Sequence, residues 1–193
     1  MARIIDESKL GRIKLATIEL VVSNGYGGAS ASALARKAEV AEGYLYRFYS
    51  GKQELVTALL FEKVGQIITQ IESLLIDCKS IRELIEPLFE AYFTMAETSP
   101  VDIQFIHVLM HDYNFQVSDL QREQIKSLCK AVIDIGQVNH EIRRGITEEE
   151  IFTMAIIYPI EFINLRMKGF FGKNGWTNED KQRIIEFSLK AIK

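Results

Sequence analysis

Apolar residues recur along this chain at steps of three and four, and almost nowhere at steps of two. Leu10, Ile13, Thr17, Leu20 and Val21 share one side of a helix, as do Ile125, Leu128, Cys129, Val132, Ile135, Gly136 and Ile142. No sustained apolar/polar alternation occurs, and no Asn-Gly or Asp-Gly turn lies between β-branched runs, so strands are not expected. Polar punctuation divides the helical pattern. Ser50 with Gln53, Ser80 with Glu83, Ser118 with Gln121, Thr147 with Glu150 and Thr177 with Asp180 have the spacing in which a hydroxyl and an acidic or amide side chain cap a helix start reciprocally. Ser99-Pro100 with Asp102 is another start, because proline at the first helical position loses no hydrogen bond. The pattern predicts an all-α chain of about nine helices, near residues 7–24, 32–38, 42–49, 51–78, 80–98, 100–112, 118–143, 148–170 and 178–192.

The first helix stops at Asn24-Gly25, an expected C-terminal signal, and two much shorter helices follow. Ser32 can cap a segment that turns Leu34, Ala35 and Ala38 inward. The turn Glu39-Val40-Ala41 then leads into residues 42–49. This is the helix-turn-helix plan, in which one short helix braces a second against the DNA major groove. Leu45 and Tyr49, with Phe48 beside them, can face the first two helices, while Gly43, Tyr44 and Arg47 share the opposite face and Tyr46 lies at the edge.

The stretch from Ser30 to Leu55, SASALARKAEVAEGYLYRFYSGKQEL, resembles the helix-turn-helix of the TetR family of transcriptional regulators. Gly43, Leu45, Tyr46, Arg47, Phe48, Tyr49 and Lys52 fall in the family's register. The resemblance covers the first quarter of the chain. It implies a three-helix DNA-binding domain over residues 1–50, with a recognition helix at 42–49, and a helical ligand-binding and dimerisation domain over 51–193. Joined to the geometry above, it makes the Tyr46 hydroxyl and the Arg47 guanidinium phosphate clamps, and Tyr44 and Glu42 readers of base edges. Gly43 lets the backbones approach. Ser32 and Lys52, at helix starts, are where a phosphate could meet both a side chain and free N–H groups, although hydroxyls at such places also serve as plain caps. Two positions depart from the family. Glu39 stands where glycine is usual, at a cost of roughly 1 kcal/mol if the site needs positive φ. Ala41 stands where serine or threonine is common and brings no hydroxyl to the DNA-facing surface. Arg3 is a candidate for the minor groove, against the alternative of a frayed terminus.

In the remaining chain, the fifth to seventh helices concentrate aromatic and semipolar residues. Phe89, Tyr92, Phe93, Phe105, His107, Met110 and His111, with Phe162 further on, form a candidate pocket for a small, largely apolar effector, although such side chains also build cores. The run from Ile151 to Phe171 is apolar on more than one face, as a helix buried on two sides would be, and Pro159 should kink it at mid-length. The family resemblance implies that the last two helices pair with their symmetry mates in a homodimer, which would place two recognition helices on a palindromic operator in double-stranded DNA.

Charge and composition narrow the picture. The net charge of -3 counts against a nucleic-acid partner, but residues 1–55 hold eight basic side chains against six acidic ones, leaving -5 on the remainder. The first ten residues carry no apolar run of signal-peptide length, and no stretch approaches a membrane span, which points to a cytoplasmic protein with no membrane partner. Cys78 and Cys129 lack metal-like spacing and read as thiols. His107 and His111 lie one helical turn apart and Asp112 follows, yet no Glu-x-x-His accompanies them, so no metal or other cofactor is expected. No nucleophile with a base, pair of carboxylates or phosphate loop marks an enzyme. The reading is a DNA-binding regulator, a repressor released by its effector. The alternatives are a helical interaction module that has lost DNA binding and a metal-dependent helical-bundle enzyme using His107 and His111.

Overall fold

The computed structural model describes residues 7–193, so Arg3 lies outside the described residues. Within them every regular element is helical: α1 (Glu7–Gly28), α2 (Ala31–Lys37), α3 (Glu42–Leu45), α4 (Lys52–Asp77), α5 (Arg82–Thr98), α6 (Pro100–His111), α7 (Asp119–Val138), α8 (Glu148–Phe152), α9 (Tyr158–Met167) and α10 (Asn178–Ile192). A π-helical turn, Thr153–Ile157, joins α8 to α9 without a break, so the described residues contain nine helical segments, as the periodicity predicts.

Local chemistry explains most of the boundaries. Reciprocal capping boxes form at Ser118/Gln121, Thr147/Glu150 and Thr177/Asp180. Two other expected caps are corrected. At α4, Ser50 offers both its backbone N–H and its hydroxyl to Glu54, at 2.6 Å each, because Gln53 is engaged by distant partners. At α2 the cap is Ser30, whose Oγ accepts from the Ala33 amide at 3.2 Å, and Ser32 lies inside the helix with its hydroxyl 3.2 Å from that of Ser30. Gly25, at φ 72°, breaks α1 near the expected stop.

Pro159, expected to kink the eighth segment, follows directly on a π-helical turn there. The Tyr158 amide donates to the Thr153 carbonyl, one residue beyond the α-helical partner, and Pro159 has no N–H to offer. The Met154 carbonyl is left without a helical donor. Ser188 of α10, completely buried, donates its hydroxyl to that carbonyl at 3.0 Å.

The described residues gather into two compact units. The first runs through Val64 and takes in Gln104–Gln116; the second comprises Gly65–Ile103 and Val117–Lys193. Ile13, Val21, Leu34, Leu45, Val56 and Leu59 fill the core of the first, with Phe105 and Leu109 contributed by the later segment. The second is built on Ile81, Leu84, Phe89, Phe93, Ile160, Ile163 and Ile184.

Candidate nucleic-acid interface and its joint

The exposed face of the first unit is organised by α3 and its flanks. Leu45 is the buried anchor, at 5% exposure, and it fixes which way the neighbouring residues point. Helical geometry ends sooner than the 42–49 expectation. After Glu42–Leu45 the chain continues in tight turns, with the Arg47 amide on the Tyr44 carbonyl and the Phe48 and Tyr49 amides both on that of Leu45. Ala41, Glu42, Gly43, Tyr46 and Arg47 are exposed and Tyr44 is half-buried. The Tyr44 ring lies 5.1 Å from the Arg47 guanidinium carbon and 5.7 Å from the Lys9 ammonium, with Phe48 edge-on at 5.4 Å. Two cations therefore border one aromatic ring on the face that α3 presents. Lys9 was not singled out by the motif, since it lies more than thirty residues upstream of its aromatic partner.

The turn before α3 contains the expected backbone demand. Glu39 adopts φ 55°, the left-handed region that glycine occupies without penalty. Its carboxylate, largely exposed, accepts from Arg12 of α1 at 3.2 Å. Lys37 of α2 and Glu19 of α1 make a further ion pair at 2.9 Å.

Behind this face lies a polar joint, built wholly within the first unit. The Lys52 ammonium donates to the Tyr26 carbonyl at 2.8 Å and sits 4.0 Å from the Tyr26 ring centroid. The Tyr26 hydroxyl donates to Gln53 at 2.5 Å, and the Gln53 amide donates in turn to the Gln116 carbonyl. Asp112 accepts from the Tyr26 amide at 2.8 Å and from the backbone and side-chain N–H groups of Asn114 at 2.9 and 3.2 Å. The Asn114 amide foremost, helped by the amides of Tyr26 and Gly27, holds the Asp112 carboxyl below the usual carboxylate range. Phe115 packs edge-on against Tyr26 at 5.3 Å. Thus Lys52, placed by its register at the start of α4, has its ammonium directed at the α1 terminus, and Ser32 is exposed on α2.

The candidate pocket residues are divided between the units. In the second, Phe89, Tyr92 and Phe93 are at most 4% exposed and Phe162 is half-buried; Phe89 lies 6.4 Å from Tyr92, and Phe93 6.4 Å from Phe162. Burial pushes the Tyr92 phenol well above its ordinary range, so it remains neutral. Phe93 also borders a groove of about 280 Å³ between α5 and α10, with Glu86, Pro87, Glu90, Lys181 and Ile185. In the first unit, Phe105 is fully buried, while His107 and Met110 are half-buried and His111 exposed. The two imidazoles lie 4.4 Å apart, with His111 Nδ1 2.8 Å from the His107 carbonyl. Burial pushes the Cys129 thiol up to about 11, which keeps it protonated and unreactive. No helix among the described residues is long and apolar enough to cross a membrane.

Comparison with known proteins agrees with the geometry. Residues 13–59 match the family model described as bacterial regulatory proteins, tetR family. The chain is 28% identical over 136 residues to the fatty acid metabolism regulator protein of Bacillus subtilis, covering 69% of this chain and 68% of that one. It is 27% identical over 95 residues to the HTH-type transcriptional activator FasR of Mycolicibacterium smegmatis, 49% of this chain and 43% of that protein. Among solved structures, a TetR family transcription regulator from Marinobacter aquaeolei superposes with a TM-score of 0.74 at 17% identity, over 97% of this chain and 96% of the other. The regulator FadR of Bacillus subtilis in complex with stearoyl-CoA superposes with a TM-score of 0.61 at 19% identity, over 95% and 97%. With the exposed α3 face in place, the helix-turn-helix of residues 13–59 is similar to that of the tetR family of bacterial regulatory proteins, and the all-helical chain shares the fold of TetR family transcription regulators.

Proposed function

We propose that this regulator is a homodimeric repressor that holds a palindromic operator and releases it when an effector with a long apolar chain binds. The observation that carries the reading is the exposed α3 face, where Lys9 and Arg47 border the Tyr44 ring and Glu42 and Tyr46 are exposed beside them. In this reading residues 1–50 read DNA and 51–193 sense the effector and dimerise. Arg47, the Tyr46 hydroxyl and Ser32 contact phosphates; Tyr44 and Glu42 meet base edges across the close approach allowed by Gly43 and Ala41. Lys52 works in the joint behind that face. A dimer would set the two α3 segments about 34–36 Å apart, one turn of DNA.

The last helices support the dimer. Along the segment from α8 through α9, Phe152, Met154, Ile156, Tyr158, Phe162, Leu165 and Met167 are only half-buried within one chain, and on α10 Phe187 is 56% exposed. An apolar face of that extent is supplied for a partner. The effector class rests on the relatives, one of which was solved with stearoyl-CoA and another of which is a fatty acid metabolism regulator. An acyl chain would use the aromatic set of Phe89, Tyr92, Phe93 and Phe162 in the second unit. Effector binding would reach the head through α4 and α6, the two helices whose residues belong to both units. The protein would act in the cytoplasm, by recognition and without turnover.

Selecting bound fragments from the source genome is expected to enrich one palindrome. Stearoyl-CoA is expected to lower the affinity for it by a factor of roughly 5–150, the usual range of such coupling. Enrichment of no palindrome would overturn the operator reading, and unchanged DNA affinity with saturating acyl-CoA bound would overturn the effector reading.

A further inference from the structure

The segment between α9 and α10 carries two adjacent phenylalanines in the open. Phe170 is 69% and Phe171 75% exposed, and their rings meet edge to face at 4.9 Å. The backbone that presents them is firmly held. Gly169, Gly172 and Gly175 all take positive φ, and Asn174 folds over Gly169 where any Cβ would collide with it. The amide of Phe170 donates to the Leu165 carbonyl at 3.1 Å and that of Gly172 to the Gly169 carbonyl at 2.8 Å. Arg166 grips both ends of the loop, donating to the Gly175 carbonyl at 3.2 Å and to Asp180 at 2.8 Å, a pair only 15% exposed on each side. Trp176 closes the loop by packing its ring at a tilt against Phe93, 5.2 Å between centroids, and donating to Glu97 at 2.8 Å. Such a loop has already lost the conformational freedom that binding would otherwise take from it.

Its charge is as distinctive as its shape. From Arg166 to Asn178 there are three basic residues, Arg166, Lys168 and Lys173, and no acidic one, whereas the remainder of the chain has a net charge of -6. Lys168 and Lys173, which flank the two phenylalanines in sequence, are exposed. The loop leaves α9 directly after the half-buried stripe of Tyr158, Phe162 and Leu165, the face assigned above to the dimer.

We propose that this loop is a clasp for a second copy of the chain: Phe170 and Phe171 seat on the partner's surface, and Lys168 and Lys173 pair with carboxylates of its acidic body. The assignment rests on the dimer reading and adds to it a contact outside the helices themselves. Two phenylalanines would remove on the order of 200 Å² or more of apolar surface from water, a useful share of the roughly 1,000 Å² that a specific interface must exceed. A two-fold axis repeats the contact, so each dimer would contain it twice.

Sedimentation equilibrium on the full chain tests it. The double substitution F170A/F171A is expected to raise the dimer dissociation constant by about 30-fold or more, with an unchanged melting curve for the monomer because neither ring belongs to the core. K168E/K173E is expected to raise it by about tenfold at low salt, with the effect fading as salt screens the pairs. A wild-type dimer whose dissociation constant survives F170A/F171A would overturn the clasp and leave the helix-face dimer standing. A wild-type chain that stays monomeric at micromolar concentration would overturn both. Co-sedimentation with vesicles of anionic phospholipid that is lost in F170A/F171A, with dimerisation intact, would assign the loop to a membrane surface and overturn the clasp.

Discussion

The outer face of the head and the joint behind it are made of the same residue types and do opposite things with them. On the face, Tyr46 and Arg47 are exposed, and Arg47 borders the half-buried Tyr44 ring. In the joint, Tyr26, Lys52 and Asp112 spend theirs on one another and on backbone groups of segments far apart in sequence. A tyrosine and a cation near the start of a helix are thus ambiguous until the partners are known. In the proposed reading the face is completed by phosphate, whereas the polar groups of the joint already have protein partners. The two can be separated experimentally, because injury to the joint should appear in folding and injury to the face only in DNA binding.

The largest effect is expected at Asp112. Replacing it by alanine strands the Tyr26 and Asn114 amides, each of which costs about 1–3 kcal/mol if water cannot reach it, so urea denaturation should show a loss of about 2–3 kcal/mol. DNA affinity would fall as a consequence of a loosened head, but the slope of log affinity against log salt would keep its wild-type value. The pH dependence has a definite sign. Because the folded carboxyl lies below its unfolded value, its contribution is fully present above the unfolded pKa of about 3.9 and is lost as pH falls through the lower folded value. The stability gap between wild type and Asp112→Asn should therefore narrow in acid below about pH 4 and stay constant above it. A gap independent of pH throughout that range would remove the carboxylate from the joint.

Arg47→Ala should act on the face alone. We expect about a tenfold loss of DNA affinity and a salt slope smaller by about one, with the urea midpoint unchanged. Lys52→Met sharpens the comparison further, since it keeps the stem and removes the charge. With its ammonium on the Tyr26 carbonyl and ring, the variant should lose about 1 kcal/mol of stability and retain the salt slope. A slope reduced by one, with stability intact, would move Lys52 to the face.

What could be read from sequence alone follows the reach of each interaction. The three complete capping boxes were legible because donor and acceptor lie three residues apart, and the apolar period of 3.6 was enough to place the helices. Pro159 announced a disturbance in its helix, but its form, a π turn whose displaced carbonyl is taken by Ser188, depends on a residue 34 positions away. Gln53 has the correct spacing from Ser50 and still does not cap it, because Tyr26 and Gln116 compete for the amide. Asp112 drew notice only as a neighbour of two histidines, whereas its partners, the amides of Tyr26 and Asn114, lie on different segments. Which side of α3 is buried and which exposed was readable by contrast, since Leu45 anchors it locally.

The smallest effect is expected at Glu39, where backbone strain and a surface ion pair meet in one residue. Its φ of 55° is strained for any residue with a Cβ, and glycine would relieve roughly 1 kcal/mol of that strain, partly offset by the greater freedom glycine has in the unfolded chain. The Arg12 pair it gives up is exposed, and such pairs contribute about 0–1 kcal/mol. Glu39→Gly should therefore raise stability by a few tenths of a kcal/mol, within the range set by these opposing terms. The same change releases the Arg12 guanidinium and removes a carboxylate from the surface proposed to meet phosphates, so DNA affinity at low salt should rise by about two- to fivefold, with a steeper salt slope. Glu39→Gln separates the two causes. It keeps the backbone strain and loses the charge, so it should reproduce the gain in affinity without the gain in stability; an amide that changed neither would show that the pair with Arg12 does not restrain DNA binding.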